Sequence, residues 1–311
     1  LTPSSASQHT LGEDFLKTKS IVPFSAKAGQ MKQIRPQATP SSHKRPLVVA
    51  AELRTYATTV PVVLDALKAS DVLGRQKRIL IKPNLIEARA APVTTDVRCV
   101  EALIGYCRGA SDAEIVVADG AGGCDTSDCF ARLGYNRLAR DHGVELVDLN
   151  HAETVTLTDE SNNFLKQFHI PQIVLESYLI SVPVLKAHSM TDVTLGMKNM
   201  IGVAPEKYYG AGGHYKKWRL HKELDQAIIE INKFRKPDLT LIDAAVGMAT
   251  AHLWGPKCDP PVGKIVASFD PVAADRVGCD LLNKDWRQVG HIVMADGLLG
   301  QANAEVRLTE P

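Results

Sequence analysis

Two stretches decide the fold: Ile79-Leu80-Ile81-Lys82-Pro83-Asn84 and Ile115-Val116-Val117-Ala118-Asp119-Gly120-Ala121-Gly122-Gly123. Each is a short β-branched run stopped abruptly by turn chemistry, as expected of a strand buried on both faces. Between them Val97, Val100, Leu103, Ile104 and Cys107 recur at helical spacing, and Gly109 ends that helix. Outward from this unit the rhythm repeats. Leu47-Val48-Val49-Ala50-Ala51 reads as a strand, followed by a helix carrying Val62, Val63, Ala66 and Leu67 and closed by Gly74. Downstream, Phe130, Leu133 and Leu138 read as one helix ending near Gly143, before the strand Val144-Glu145-Leu146-Val147. Strand, helix, strand in this order requires parallel pairing through right-handed crossovers, with helices on both faces of the sheet.

The second half continues with longer interruptions. Tyr178 to Val182 is a strand ending at Pro183. Leu220, Leu224, Ala227, Ile228 and Ile231 form one apolar helical stripe, and Leu239-Thr240-Leu241-Ile242 is a strand. Asp270-Pro271 pairs an N-cap residue with Pro at the first helical position, which predicts a helix start. The expected architecture is α/β with two lobes, a mostly parallel sheet and a cleft between residues 46–185 and 186–311. Residues 1–45 are rich in Ser, Thr, Pro, Gln and Lys and read as an extended polar arm. Phe15, Ile21, Val22 and Phe24 would anchor it on its own surface, on a second copy or on a redox partner.

The chain has 311 residues, 45% hydrophobic and 23% charged, enough to bury a core without disulfide staples. Lys plus Arg total 36 and Asp plus Glu total 35, so no global field draws nucleic acid or an anionic membrane surface. Aromatics at 5% argue against a base-stacking platform. The most apolar run, Ile173 to Leu185, is broken by Glu176 and Pro183 and is too short to span a membrane. The six cysteines contain no Cys-x-x-Cys, so zinc-ribbon and ferredoxin-type spacings are absent and free thiols are expected. The chain opens at Leu1 without a basic-then-apolar leader, which suits a processed exported protein and a cytoplasmic one equally.

In open parallel sheets, ligands bind outside the carboxyl ends of the strands. Four groups are placed there by the pattern: Lys82-Pro83-Asn84, Asp119 with its glycine turn, Lys186-Ala187-His188, and Asp243 after Ile242. Each has a structural alternative. Lys82 can be a solvated strand end, the glycines a plain tight turn, and Asp243 the partner of a neighbouring turn. Gly263-Lys264 is followed by Ile265, so there is no phosphate-binding P-loop, and no Gly-x-Ser-x-Gly elbow is present. The densest constellation runs from Lys186 through His188, Thr191, Lys198 and Asn199, with His214 and His221 downstream. Histidine can shuttle protons or bind a borderline metal such as nickel or zinc, and a buried lysine can form covalent adducts.

At these residues the chain resembles the Domain of Unknown Function 362 family. The resemblance is carried by Lys82-Pro83-Asn84, Ser181-Val182-Pro183-Val184-Leu185-Lys186-Ala187-His188, Thr194-Leu195, and Lys198-Asn199 with Gly202. His221, Asp243, Gly255-Pro256 and Asp270-Pro271-Val272-Ala273-Ala274-Asp275 complete it. Many members of that family carry ferredoxin-like iron–sulfur motifs, which this chain lacks. More distantly, His188, Lys198 and His214 reproduce intervals that resemble the nickel-pincer-dependent lactate racemases. There the first histidine transfers a proton, the lysine carries the metal-bearing nucleotide and the last histidine binds nickel. Where those enzymes have a further catalytic histidine, this chain has Asp119-Gly120-Ala121-Gly122, so the resemblance implies a related fold rather than lactate racemisation.

Together these readings point to an enzyme acting on a small anionic hydroxy or carboxy metabolite by isomerisation or redox chemistry, metal-assisted or not. Lys82, Asn84, Lys186, Thr191 and Asn199 would bind the anion, and His188 and Lys198 would be catalytic. His214 and His221 are the metal candidates, with Asp119 and Asp243 as supporting acids. The competing readings are a non-enzymatic metal- or anion-binding protein and an accessory subunit of an iron–sulfur redox system.

Overall fold

Alternating residues of the central strands go to opposite faces of one sheet, and both faces are covered. In the computed structural model, Val48, Ala50, Leu80, Val116 and Ala118 pack into one core. Val49, Ala51, Ile79, Ile81, Ile115 and Val117 pack into another. This is the period-two consequence of β-branched runs buried on two sides. The structure describes residues 32–33, 45–210, 212 and 215–310, the first two by their backbone, within the unit Met31–Pro311. The expected arm anchors Phe15, Ile21, Val22 and Phe24 lie outside the described residues.

In chain order the main elements are β1 (Leu47–Glu52), α1 (Tyr56–Ala66), β2 (Arg78–Pro83), α2 (Val97–Ala110) and β3 (Glu114–Asp119). Next come α3 (Thr126–Arg132), α4 (Tyr135–His142), β4 (Glu145–Asp148), β5 (Thr154–Thr158), β6 (Gln167–Pro171), β7 (Tyr178–Val182) and β8 (Val184–His188). The chain continues with β9 (Asp192–Thr194), α5 (Gly196–Asn199), α6 (Leu224–Phe234), β10 (Leu239–Met248), β11 (Lys264–Ser268), α7 (Pro271–Leu281) and β12 (Glu305–Thr309). The ten-stranded sheet runs β12-β1-β11-β10-β7-β2-β3-β4, with β8 on β10 and β9 on β8. The β10-β7-β2-β3-β4 block is parallel throughout. β11 runs antiparallel to both of its neighbours. Strands from 46–185 and from 186–311 thus share one sheet, and residue 185 falls inside β8. Lys32–Gln33, β5 and β6 make a separate three-stranded sheet.

Helices α1 to α4 supply Val63, Leu103, Phe130 and Leu138 to one core. Helices α6 and α7 supply Ile228, Ile231, Val272 and Val277 to the other. The start of α7 matches the Asp-Pro signal: Asp270 accepts the N–H groups of Val272 and Ala273 through one carboxylate oxygen. Four segments differ from the sequence pattern. The helix expected to run through Leu67 to Gly74 is two, Tyr56–Ala66 and Ala69–Leu73, broken at Lys68, whose φ is +58°. The helix expected through Phe130 and Leu138 is two helices, α3 and α4, broken at Gly134, whose φ of +88° suits a residue without Cβ. Leu220 lies in a separate 3₁₀ turn, Trp218–Glu223, before α6 begins at Leu224. The strand expected to end at Ile242 continues to Met248, so Asp243 is mid-strand, opposite Ile265, with the β8 register shifting beyond it. No helix among the described residues is long and apolar enough to cross a membrane.

Candidate functional site

Lys82 and Asp119 end the adjacent parallel strands β2 and β3, so their side chains meet at one edge of the sheet. Lys186 and His188, two residues apart on β8, share a side of their strand. The short helix α5 delivers Lys198 and Asn199. Its orientation is set from beneath by Asp275, whose two oxygens accept the N–H groups of Gly196 and Met197 at 2.7 and 2.9 Å. Lys217 comes from an irregular segment clamped by Lys216, which pairs with Asp125 at 2.6 Å and Glu206 at 3.1 Å. Lys216 also donates its backbone N–H to the Gly122 carbonyl. These groups, with His221 and His252, line one cavity of about 270 Å³, near the lower end of the range for small-molecule sites.

Two glycines make the close approach possible. A Cβ on Gly202 would sit 2.4 Å from an Asp119 oxygen and 2.5 Å from the Lys82 amine. A Cβ on Gly120 would sit 2.6 Å from the Gly202 carbonyl and 3.1 Å from the Lys217 amine. Any side chain at either position would drive the charged groups apart.

The four lysines differ in how many of their three N–H donors are used. Lys82 is saturated: it donates to Asp119 at 2.6 Å, to Asn199 Oδ1 at 3.2 Å and to the Pro83 carbonyl at 3.2 Å. Lys186 donates to Asn84 Oδ1 at 2.6 Å and the Val93 carbonyl at 2.7 Å. Lys217 donates to Asn150 and to the Ala204 carbonyl. Lys198 donates to no described residue. Asp119 is the one carboxylate lining the cavity, and Lys82 already holds it. Burial therefore acts on the other three with little relief. It lowers Lys186 to about 7, with the Lys198 charge adding to the effect and Asp119 and Glu87 opposing it. Lys217 is lowered by burial to about 7 and Lys198 by burial to about 8, opposed by Asp119 and Asp225 respectively. Lys82 is also lowered by burial, against the pull of Asp119.

The imidazoles are held neutral beside these amines. His188 and His252 stack with ring centroids 4.2 Å apart. Burial and then the Lys198 charge push His188 far below the ordinary histidine range and bring His252 to about 3. His188 Nδ1 accepts the Met190 N–H at 3.1 Å, which places the ring proton on Nε2. The opposite tautomer holds at His221, where Nδ1 lies 3.0 Å from the Lys217 carbonyl and must donate, leaving the Nε2 lone pair free. Burial lowers His221 as well. His252 Nδ1 is buried without a described hydrogen-bond partner. The cavity thus offers one imidazole donor, one imidazole acceptor and several amines close to their deprotonation range.

Of the residues singled out in the sequence, Lys82, Asn84, Asp119, Lys186, His188, Lys198, Asn199 and His221 line this cavity. Asn199 serves the frame: its amide donates to the Lys82 carbonyl and to Ser181. Thr191 does not line it, and its hydroxyl donates to the Val193 carbonyl at 3.2 Å. Asp243 lies elsewhere, accepting the Tyr56 hydroxyl at 3.0 Å and backbone N–H groups of Ala245 and Asp96. His214 is outside the described residues, so the His188–Lys198–His214 spacing is represented by its first two members. No group of three or more His, Cys, Asp or Glu among the described residues is placed to hold a metal ion. Sequence reasoning missed Lys217 and His252. The signal for Lys217 was the Gly-, Lys- and His-rich irregular stretch before Trp218. For His252 it was only the nearby Gly255-Pro256.

The chain is 26% identical over 239 residues to the thylakoid-associated protein sll1697 of Synechocystis sp. (strain ATCC 27184 / PCC 6803 / Kazusa), covering 76% of this chain and 70% of that one. The family model described as a domain of unknown function, DUF362, matches residues 79–280, from the start of the β2 core to the end of α7. Every residue lining the lysine cavity lies inside that span, and the chain belongs to the DUF362 family.

Proposed function

We propose that this chain is an enzyme that binds a small carboxylated or phosphorylated metabolite in the lysine cavity and moves a proton on it. The observation that carries this reading is the charge imbalance: four lysines face one space, and their single lining carboxylate is consumed by Lys82. Uncompensated buried cations cost stability, and such costs persist where a ligand offsets them. The unused N–H donors of Lys186, Lys217 and Lys198 supply a preorganised cradle for an anion or a developing oxyanion. His188 Nε2–H is the donor available to a substrate oxygen, and His221 Nε2 is the acceptor for a proton from carbon or hydroxyl. Met190 and Trp218, 53% and 50% exposed, line the same cavity and can cover the uncharged part of a substrate. A substrate carbon bearing a hydroxyl or carbonyl beside a carboxylate suits this set, which makes the chemistry isomerase-like.

Calorimetric titration of the full chain with oxalate, phosphate and lactate at pH 7 tests the binding half. Deuterium exchange from heavy water into the bound hydroxy acid, followed by NMR, tests the proton-transfer half. Saturable binding of at least one anion, lost in Lys198→Met, is the expected result. No binding of any of the three would remove the reading. Binding without exchange would leave a non-enzymatic anion-binding protein.

A further inference from the structure

We propose that Lys198 forms an imine with the carbonyl carbon of a small 2-oxo carboxylate, whose carboxylate rests on the remaining N–H donors of Lys186 and Lys217. This rests on the anion-cavity reading above and adds to it a nucleophile and a substrate class.

The argument is a comparison among the four amines. Imine formation strips a lysine of its N–H donors. At Lys82 that would orphan Asp119, Asn199 and a backbone carbonyl. At Lys186 it would orphan Asn84 Oδ1 and the Val93 carbonyl. At Lys217 it would orphan Asn150 and the Ala204 carbonyl. Each buried acceptor left unmet carries a desolvation penalty. Lys198 has no described acceptor to lose, so conversion there costs the protein no hydrogen bond. Its helix is anchored by Asp275 and by Asn232, which donates to the Met197 carbonyl at 3.0 Å, so the amine is presented from a fixed base. The same cavity contains a proton donor, His188, and a proton acceptor, His221.

The step balances without an oxidant or reductant. The neutral Lys198 amine attacks the carbonyl carbon, a C–N bond forms, and the C=O π pair moves to oxygen, which takes up a proton. The nitrogen gives up one proton as the carbinolamine forms and its second as the C–O bond breaks, the leaving hydroxyl takes up a second proton, and one water departs. Lysine amine plus oxo acid becomes imine plus water. Burial favours the neutral amine this requires, and the free-amine fraction at neutral pH exceeds that of an exposed lysine by about two orders of magnitude.

The test treats the full chain at pH 7 with glyoxylate, pyruvate, oxaloacetate or 2-oxoglutarate and sodium cyanoborohydride, then reads intact mass and maps peptides. Reduction of an imine adds the mass of the oxo acid less one oxygen atom. The expected result is a single adduct on Lys198 with at least one of these acids, at least about tenfold above that on any other lysine. It should be absent in Lys198→Arg, with circular dichroism confirming that variant as folded. Adducts spread evenly over exposed lysines, or concentrated on Lys186 or Lys217, would overturn the proposal. No adduct at Lys198 with any of the four acids, while oxalate still binds in calorimetry, overturns the imine and leaves the anion cavity standing. Loss of both adduct and oxalate binding removes both.

Discussion

The buried lysines of the cavity and the buried carboxylates beneath and beside it solve the same physical problem in opposite ways. Asp243 and Asp275 are fully enclosed, and burial raises them to about 6 and about 7, opposed by their hydrogen bonds. Every donor they need is protein: a Tyr56 hydroxyl and two backbone N–H groups for Asp243, and two backbone N–H groups for Asp275. Among the described residues, Asp275 lines no cavity, and Asp243 adjoins a second cavity of about 950 Å³ with its oxygens already taken by protein donors. The lysines of the cavity are graded instead, from saturated Lys82 to Lys198 with no described acceptor, and their unused donors face open volume. Buried charge alone therefore does not mark a site. Buried charge with unspent hydrogen-bonding capacity around a cavity does.

The largest effect should come from breaking the one charge pair that the lysine side possesses. Asp119→Asn leaves Lys82 with a weaker acceptor and also disturbs the Leu85 N–H bond at 2.7 Å. A loss of about 3 kcal/mol in chemical denaturation is expected. Gly202→Ala attacks the same contact sterically and should cost about 1–3 kcal/mol with loss of anion binding. On the carboxylate side, Asp275→Ala removes the acceptor for two backbone N–H groups and should cost about 1–3 kcal/mol. It should weaken anion binding only indirectly, through the position of α5. If Asp275→Ala proves silent in stability while abolishing binding, the contrast between the two sides is wrong.

pH separates the two sides by sign. Lys186, Lys217 and Lys198 have folded-state values lowered from 10.5 to about 7, 7 and 8, so the unfolded chain binds more protons between those limits. Their contribution makes the unliganded protein more stable as pH rises from about 7 to 9. Asp243 and Asp275 are raised from 3.8, so their contribution is present at low pH and is lost as pH rises through about 6 and 7. Thermal unfolding across pH 5 to 9 should show the carboxylate trend in the lower part and the lysine trend in the upper part. A bound anion should abolish the upper rise by holding the amines protonated, and its affinity should fall as pH rises above about 7.

Much of the sheet was legible because β-branched runs ending in Lys82-Pro83-Asn84 and Asp119-Gly120 have few other uses in a folded chain. The edge that gathers the site followed from that, since parallel strands present their carboxyl ends together. What the sequence could not carry was the count of hydrogen bonds on each amine. Lys82 and Lys198 look alike as letters and differ completely in their partners. Asp243 was misplaced because Ala244, Ala245 and Gly247 are poor strand formers, whereas pairing with Lys264 and backbone bonds from Val262 and Gly263 carry the strand on to Met248. Lys217 and His252 sit in segments without periodicity, where position depends on clamps such as Lys216–Asp125 and not on local pattern. Gly134 was read through because a helical stripe can resume after a single left-handed residue.

The smallest change in structure gives the most direct test of the central claim. Lys198→Met keeps the unbranched side chain to within one atom of its length and removes an amine with no described partner. Replacing a half-buried charge that has no described partner by an apolar group should leave the unliganded protein as stable as the wild type or about 1 kcal/mol more so. Thermal unfolding at pH 7 of both proteins, with and without saturating oxalate, reads the comparison. Wild type should be stabilised by oxalate and the variant should not, although its unliganded midpoint is equal or higher. A variant that unfolds at lower temperature and is still stabilised by oxalate would contradict the account, because Lys198 would then be a structural residue and the anion would bind without it.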